Sequence, residues 1–178
     1  MADKFFKLAK KYKLFNKLVI IVTTAAVGKS KNKYCKLTYQ EFKKLGFTKI
    51  KFVNLEKNIS RDLLSSSVIY VAGGNSFKLL KYTRIRNFRK IIEDLLKRGG
   101  IYIGASAGSV IMGSTIKSCS VFKRDENKVG LKDFSGLNFV PYEIYPHYKA
   151  ELNLAIKEYE KVNKIKVARL KDGECIIL

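Results

Sequence analysis

Four short apolar runs rich in β-branched residues alternate with longer segments of helical periodicity, and this alternation narrows the folds open to the chain. The runs lie at residues 17–24, 49–53, 67–72 and 100–104. Their length and composition are typical of β-strands. The second run alternates like a strand near a sheet edge, whereas the last two have the continuous apolar character of buried central strands.

Helical periodicity marks residues 3–14, 33–45, 77–82, 85–97 and 149–161. Strands that alternate with helices pair in parallel through right-handed crossovers. We therefore predict an α/β fold, a three-layer α/β/α sandwich with a mostly parallel central sheet. A chain of 178 residues can bury one such core, so residues 1–178 are expected to form a single domain.

The chain is strongly basic, with 36 Lys and Arg against 15 Asp and Glu and a formal net charge of +21. Such a charge attracts polyanions, so a polyanion-binding basic domain is one alternative function. Only seven of the basic residues are arginines, however, and the lysines are dispersed along the whole sequence. This distribution favours a solvated cationic surface, and nucleic acid is not expected as a partner.

No apolar run is long enough to span a membrane, and residues 1–17 lack the organisation of a secretory signal peptide. We therefore predict a soluble cytoplasmic protein without a membrane partner; monomer and homodimer are both open. Cys35, Cys119 and Cys175 lie far apart, which indicates neither a disulfide framework nor a zinc site. Without clustered ligands or a dinucleotide motif, no metal and no cofactor are expected.

The segment from residue 101 to 113, IYIGASAGSVIMG, combines a strand, a G-x-S-x-G motif and a helix start. This is the context of a nucleophile elbow, which holds a serine at a sharp turn above the sheet. Ser106 is therefore the candidate nucleophile, and the amide of Ala107 is a candidate oxyanion donor. Gly104 and Gly108 are needed because a Cβ at either position would collide with the neighbouring helix or strand.

A serine hydroxyl is a weak nucleophile and requires a base, usually histidine. His147 is the only histidine of the chain, and it follows residues 139–145, another predicted strand. Without it the elbow serine would have no imidazole, so His147 is the candidate base.

A carboxylate should orient that imidazole. The region between Ser106 and His147 offers four candidates, and these are Asp125, Glu126, Asp133 and Glu143. We favour Asp125, with Glu126 second. The alternative is that residues 123–128 form only a charged hairpin tip.

A second glycine-rich turn, Gly73-Gly74-Asn75-Ser76, follows the third predicted strand. Glycine lets a backbone amide approach a reacting carbonyl, so Gly74 is the second candidate oxyanion donor and Asn75 a candidate substrate contact. Asn75 or Ser76 could equally cap the helix that begins near Phe77. The two roles are compatible.

These motifs resemble the family of dipeptidase E (aspartyl dipeptidase) and cyanophycinase, serine peptidases on a fold similar to class I glutamine amidotransferases. The resemblance rests on three segments in order, VAGGNSFKLL at 71–80, RGGIYIGASAGSVIMG at 98–113 and LNFVPYEIYPHY at 137–148. It implies Ser106 as nucleophile, His147 as base and an oxyanion hole from the amides of Gly74 and Ala107. Counted back from the Pro-His pair, it implies Asp125 as the acid.

The sequence departs from that family in two places. Residues 149–161 lack the basic and acidic motif that selects an N-terminal aspartate, which argues against aspartyl specificity. The chain ends soon after an apparent strand at 175–178, so the last elements usual in the family are expected to be missing.

We predict a serine peptidase that hydrolyses dipeptides or short peptides through an acyl-enzyme intermediate. A small peptide is the expected partner. The alternative within the same fold is a catalytically inactive or differently specific member that acts as a binding module.

Overall fold

The centre of the protein is a parallel sheet of four strands. The computed structural model describes residues 2–57 and 59–178. The strands are β1 (Leu18–Val22), β2 (Lys49–Val53), β3 (Val68–Val71) and β4 (Ile101–Gly104), in the order β2-β1-β3-β4. All three pairings are parallel, so the carboxyl ends of the strands share one edge of the sheet.

Helices connect these strands; those after β1 and β3 were predicted from the sequence, and the short helix after β2 was not. Helix α1 (Ala2–Lys11) precedes β1, α2 (Lys33–Lys44) links β1 to β2, and α3 (Arg61–Ser65) links β2 to β3. Two helices, α4 (Ser76–Ile85) and α5 (Phe88–Lys97), link β3 to β4. Polar side chains begin several of them by accepting a hydrogen bond from a free backbone N–H of the first turn, as Asn32 does for α2 and Ser60 for α3.

Both faces of the sheet are covered. Ile20 and Val22 of β1 pack into a core that α3, α4 and α5 share. Val19 and Ile21, which point to the opposite face, pack with Phe5 of α1 and residues around α2. Alternate side chains of β1 thus pack against helices on opposite faces of the sheet, which confirms the predicted three-layer α/β/α sandwich.

A second, smaller sheet follows in the chain. After α6 (Ala107–Val110) and α7 (Lys117–Val121), strand β5 (Glu143–Pro146) pairs in parallel with β6 (Val167–Leu170). Helix α8 (Asn153–Asn163) forms the crossover between them, after a 3₁₀ turn at Ala150–Leu152. Pro146 is paired with Leu170, so the segments that follow these two strands leave the sheet side by side.

Two sequence predictions about strands are wrong. The expected strand at 175–178 is not one; the strand is Val167–Leu170, which finds a parallel partner in β5. The run at 100–104 was expected to be a central strand, but β4 lies at the end of the four-stranded sheet with half-buried residues. An apolar run indicates that a strand is buried, but not whether other strands or helices bury it. At the edge of this sheet, helices provide part of the burial.

The helices in the described part of the chain are short, the longest being α2 with 12 residues. None of them is long and apolar enough to cross a membrane.

The central strands should dominate stability. Ile69 in β3 is 0% exposed, and Ile69→Ala should lower the free energy of unfolding by about 2–5 kcal/mol because it leaves a cavity between packed layers. The matched control is Ile85→Ala, at a side chain that is 57% exposed, where a change under about 0.5 kcal/mol is expected. Urea denaturation of both variants measures the difference, and equal losses would contradict the assigned core.

Candidate active site

Ser106 occupies a strained turn between β4 and α6. Its backbone has φ 49° and ψ −112°, a positive φ that a residue with a side chain rarely adopts. Its carbonyl oxygen accepts hydrogen bonds from the backbone amides of Ser109 at 2.8 Å and Val110 at 3.0 Å. Strain that neighbouring contacts maintain is typical of functional turns. The strand, turn and helix predicted for a nucleophile elbow are all present.

The glycines beside Ser106 let three backbone segments pack closely. A Cβ on Gly108 would lie 2.3 Å from the carbonyl oxygen of Val71 in β3, and a Cβ on Gly104 would lie 2.4 Å from the carbonyl oxygen of Gly108. The Tyr102 hydroxyl donates a hydrogen bond to that Gly108 carbonyl at 2.6 Å. Any side chain at these two positions would push α6 and the turn away from the sheet, as the sequence predicted.

His147 reaches Ser106 from the other sheet. It follows β5 directly and has a positive φ of 58°. Its Nε2 lies 3.1 Å from the Ser106 Oγ, which is hydrogen-bond distance. The structure therefore brings together the two residues that the sequence proposed as nucleophile and base, although 41 positions separate them.

The carboxylate beside the imidazole is Asp172, not Asp125. The Nδ1 of His147 lies 2.6 Å from the Asp172 Oδ1. Parallel pairing of β5 and β6 explains the contact, because Pro146 pairs with Leu170 at the ends of the two strands. His147 follows Pro146 directly, and Asp172 lies two residues beyond Leu170. This placement corrects the expectation that Asp125 contacts the imidazole.

The hydrogen bonds of His147 define what its ring can do. When Nδ1–H donates to Asp172, the lone pair of Nε2 faces the hydroxyl of Ser106 and can accept its proton. The side chains of His147 and Asp172 are 59% and 84% exposed. Such an exposed pair contributes little to folding stability, so its effect is to orient the ring.

Hydrogen bonds of Asp125 and Asn75 connect the loop at residues 123–128 to the glycine turn after β3. The Asp125 Oδ2 accepts the backbone N–H of Ser76 at 2.9 Å, and the Asn75 Nδ2 donates to the Glu126 carbonyl at 2.8 Å. The Asn75 Oδ1 also accepts the backbone N–H of Lys78, so this residue caps α4. Its polar atoms are therefore engaged within the protein, and residues 123–128 are held against the Gly73-Gly74 turn.

The three other carboxylates considered from the sequence lie elsewhere. The Glu126 carboxylate pairs with Lys128, and that of Asp133 pairs with Arg84. Glu143 is fully buried in β5, where its carboxylate accepts hydrogen bonds from the Tyr159 hydroxyl and the Ser118 backbone N–H. Within residues 2–57 and 59–178, only Asp172 forms an ion pair with His147.

Two backbone amides remain available beside Ser106. Ala107 N lies at the first position of α6, and Gly74 lines the same cleft as Ser106. Neither amide donates a hydrogen bond to another described residue. A Cβ on Gly73 would lie 3.0 Å from the Ser106 Cβ, so the glycine turn adjoins the serine. Free N–H groups at such a position suit an oxyanion.

Gly74, Ser106 and His147 share an open cleft of about 500 Å³. Its walls are formed by Gly74, Ser76, Ser106, Arg124, Asp125, Tyr145, Pro146, His147, Lys149, Glu151 and Leu152. A larger concavity of about 650 Å³ lies between Tyr142 and Ala168, but no serine or histidine lines it. The chemistry therefore points to the smaller cleft.

Cys119 lies near this cleft but does not compete with Ser106. Burial raises the pKa of its thiol to about 11, so the sulfur stays protonated at neutral pH. In the described residues no group of three His, Cys, Asp or Glu side chains could hold a metal ion.

The family model of peptidase family S51 matches residues 2–178 of the chain. The chain belongs to peptidase family S51. Peptidase E of Escherichia coli O1:K1 is 38% identical over 84 residues, which are 47% of this chain and 35% of that protein. Peptidase E of Shigella boydii serotype 18 matches over the same lengths. The matched segment thus spans about a third of these S51 relatives.

Solved structures of similar proteins share the fold. A Listeria monocytogenes EGD-e protein assigned as a peptidase E has a TM-score of 0.71 and 22% identity, with 97% of this chain and 93% of that chain covered. A peptidase from an acI-B1 actinobacterium has a TM-score of 0.63 and 18% identity, with 87% and 65% covered. At these identities the likeness supports the α/β architecture alone.

Asp172 is the site residue that sequence reasoning missed. The search for an acid was confined to the region before His147, whereas Asp172 follows it by 25 positions. The available signal was the short run Val167–Leu170, which follows a helix and is followed by the turn sequence Lys171-Asp172-Gly173. An acid at the carboxyl end of a parallel strand is a candidate for any site at that edge.

The Gly74 turn should tolerate no side chain. Gly74 has φ 134°, and a Cβ there would lie 2.2 Å from the carbonyl oxygen of Ala25. Gly74→Ala should therefore cost about 2–4 kcal/mol of stability, from backbone strain and from overpacking. Gly99→Ala is the control, since Gly99 has φ 73° but nothing within 4 Å, and about 1 kcal/mol is expected. Similar losses in urea denaturation would refute the close contact with Ala25.

Proposed function

We propose that the protein is a serine peptidase of the dipeptidase E type, which hydrolyses dipeptides or short peptides. The observation that carries the proposal is the continuous chain of contacts from the Ser106 Oγ to the His147 Nε2 at 3.1 Å and from the Nδ1 to Asp172 at 2.6 Å. Nucleophile, base and orienting acid in this order are the arrangement of serine hydrolases. Membership of peptidase family S51 supports the same chemistry.

In the first half of the reaction, the Ser106 Oγ attacks the scissile carbonyl while His147 Nε2 takes its proton. The tetrahedral oxyanion is stabilised by the amides of Gly74 and Ala107. His147 then gives the proton to the departing amine, the carbon–nitrogen bond breaks, and an ester of Ser106 remains. Asp172 holds the ring and stabilises its charged form.

In the second half, a water molecule replaces the amine. His147 takes a proton from the water, which attacks the ester carbonyl, and the same two amides stabilise the second oxyanion. The proton returns to the Ser106 oxygen as the ester bond breaks, and a carboxylic acid is released. The cycle consumes one water and requires no cofactor.

The cleft supports a small substrate. About 500 Å³ is in the range of sites for small molecules, and the walls hold charged groups of both signs. Short peptides with free termini carry both charges. Residues 149–161 form a 3₁₀ turn and helix α8. They lack the basic and acidic motif that the family resemblance links to an N-terminal aspartate, so aspartyl specificity is not proposed.

Removing either partner of the serine and histidine pair should abolish most turnover. Ser106→Ala and His147→Ala should each lower kcat by roughly 10³-fold or more, since the two residues act in one step, and the double variant should lose little further. A fluorophosphonate probe should label the wild type and not Ser106→Ala. Multiplicative losses, or a wild type that the probe does not label, would refute the mechanism.

Asp172 and Asp125 can be separated by matched substitutions. Asp172→Asn should cut kcat by up to about 10⁴-fold with folding intact, because an amide can hold the ring in the wrong tautomer. Asp125→Asn keeps an oxygen that accepts the Ser76 N–H, so its effect should be small. Glu126→Gln, at an exposed side chain, is the control. A large loss in Asp125→Asn with an active Asp172→Asn would reverse the assignment.

A further inference from the structure

Arg124 lies in the wall of the cleft and is held in place on two sides. Its guanidinium carbon lies 4.2 Å from the centre of the Tyr145 ring, and its Nη2 donates to the Pro146 carbonyl oxygen at 3.2 Å. Its backbone N–H donates to the Cys119 carbonyl at 2.9 Å. A guanidinium stacked and bonded in this way has lost most of its freedom before any ligand arrives.

Only the Nη2 of this guanidinium donates a hydrogen bond to a described residue. The Arg124 Nη1 is buried and has no hydrogen-bond partner among residues 2–57 and 59–178. A charged donor without a partner is unfavourable, and the planar fork of arginine best fits a carboxylate. A carboxylate bound in the cleft would add a charged acceptor for this guanidinium.

The position of Arg124 indicates which part of a substrate it meets. The Pro146 carbonyl that it binds directly precedes His147, whose Nε2 protonates the departing amine in the proposed mechanism. Arg124 therefore lines the cleft beside His147, the residue that meets the departing amine. In a dipeptide, the α-carboxylate of the leaving amino acid is two bonds from that amine. Lys149 also lines the cleft and adds positive charge.

We propose that Arg124 is a specificity-determining residue that binds the free α-carboxylate of the leaving amino acid, which makes unblocked dipeptides the preferred substrates. This inference rests on the proposed peptidase function. Asp125 and Glu151 also line the cleft, but one Asp125 oxygen is bound by the Ser76 N–H. The net charge of +21 favours the approach of an anionic end over long range.

The test compares the dipeptide that is cleaved fastest in a panel with the C-terminal amide of the same dipeptide. Wild type should cleave the free acid at least about 10-fold better in kcat/KM. Arg124→Gln should lower kcat/KM for the acid by about 10- to 100-fold, the effect of a charged hydrogen bond, and leave the amide within about 3-fold. Arg98→Gln, which removes an exposed guanidinium elsewhere, should change neither.

Several outcomes would overturn the subsite. The first is equal kcat/KM of wild type for the acid and the amide. The second is an equal loss of kcat/KM on both substrates in Arg124→Gln. The third is a loss of kcat/KM only for dipeptides whose acyl residue has an acidic side chain. Arg124→Gln loses the contact with the Pro146 carbonyl next to His147, so fluorophosphonate labelling checks that the Ser106 and His147 pair is intact. Labelling at the wild-type level is expected, since the pairing of Pro146 with Leu170 remains. Arg124→Lys keeps a positive charge and should retain part of the preference for the dipeptide with a free carboxylate. It replaces Arg124→Gln in the test if that variant fails to fold. A wild type that is neither labelled nor active on any peptide would refute the proposed function itself, and this inference with it.

Discussion

The backbone around Ser106 lies against the end of β3 at a distance that only glycine permits. The Cβ position of Gly108 is 2.3 Å from the Val71 carbonyl oxygen, and the Tyr102 hydroxyl fixes the Gly108 carbonyl from the other side. Because of this contact the chain turns sharply after β4, Ser106 takes a positive φ, and its hydroxyl rises above the carboxyl edge of the sheet. The Gly73-Gly74 turn ends β3 at the same edge, so the two candidate oxyanion donors come from adjacent parallel strands.

The other half of the cleft is formed by the small sheet of β5 and β6, which must keep a fixed position relative to the four-stranded sheet. Backbone hydrogen bonds join the segment after α6 to the approach of β5, among them Ser114 N to the Tyr142 carbonyl at 3.1 Å and Leu137 N to the Ile111 carbonyl at 2.7 Å. The buried Glu143 adds a polar connection, because its carboxylate binds the Ser118 N–H of α7 and the Tyr159 hydroxyl of α8. A buried carboxylate is favourable only when it is so satisfied, and this one ties the strand that leads to His147 to both neighbouring helices.

The arginines of this strongly basic chain mostly bond to the protein itself. Six of the seven arginines donate to carbonyl or carboxylate oxygens of the protein, and these are Arg84, Arg86, Arg89, Arg98, Arg124 and Arg169. These hydrogen bonds join loops and helices to one another. Lysines carry most of the remaining charge; Lys29 and Lys78 share Glu56, and burial lowers the pKa of Lys29.

The local elements and the chemistry that they carry can be read from the sequence. The apolar runs specified β1 to β3 within one or two residues, the G-x-S-x-G segment specified the turn of Ser106, and a single histidine left one candidate base. Tertiary structure alone decided which carboxylate meets that histidine. Asp125 is nearer in sequence to both residues, yet its carboxylate binds the Ser76 N–H, while Asp172 reaches His147 through the pairing of Pro146 with Leu170. A local pattern indicates the conformation of its own segment, and the run before Asp172 marks that residue as an acid at a strand end. Which two strands pair, and therefore which acid meets His147, depends on how α8 packs between them.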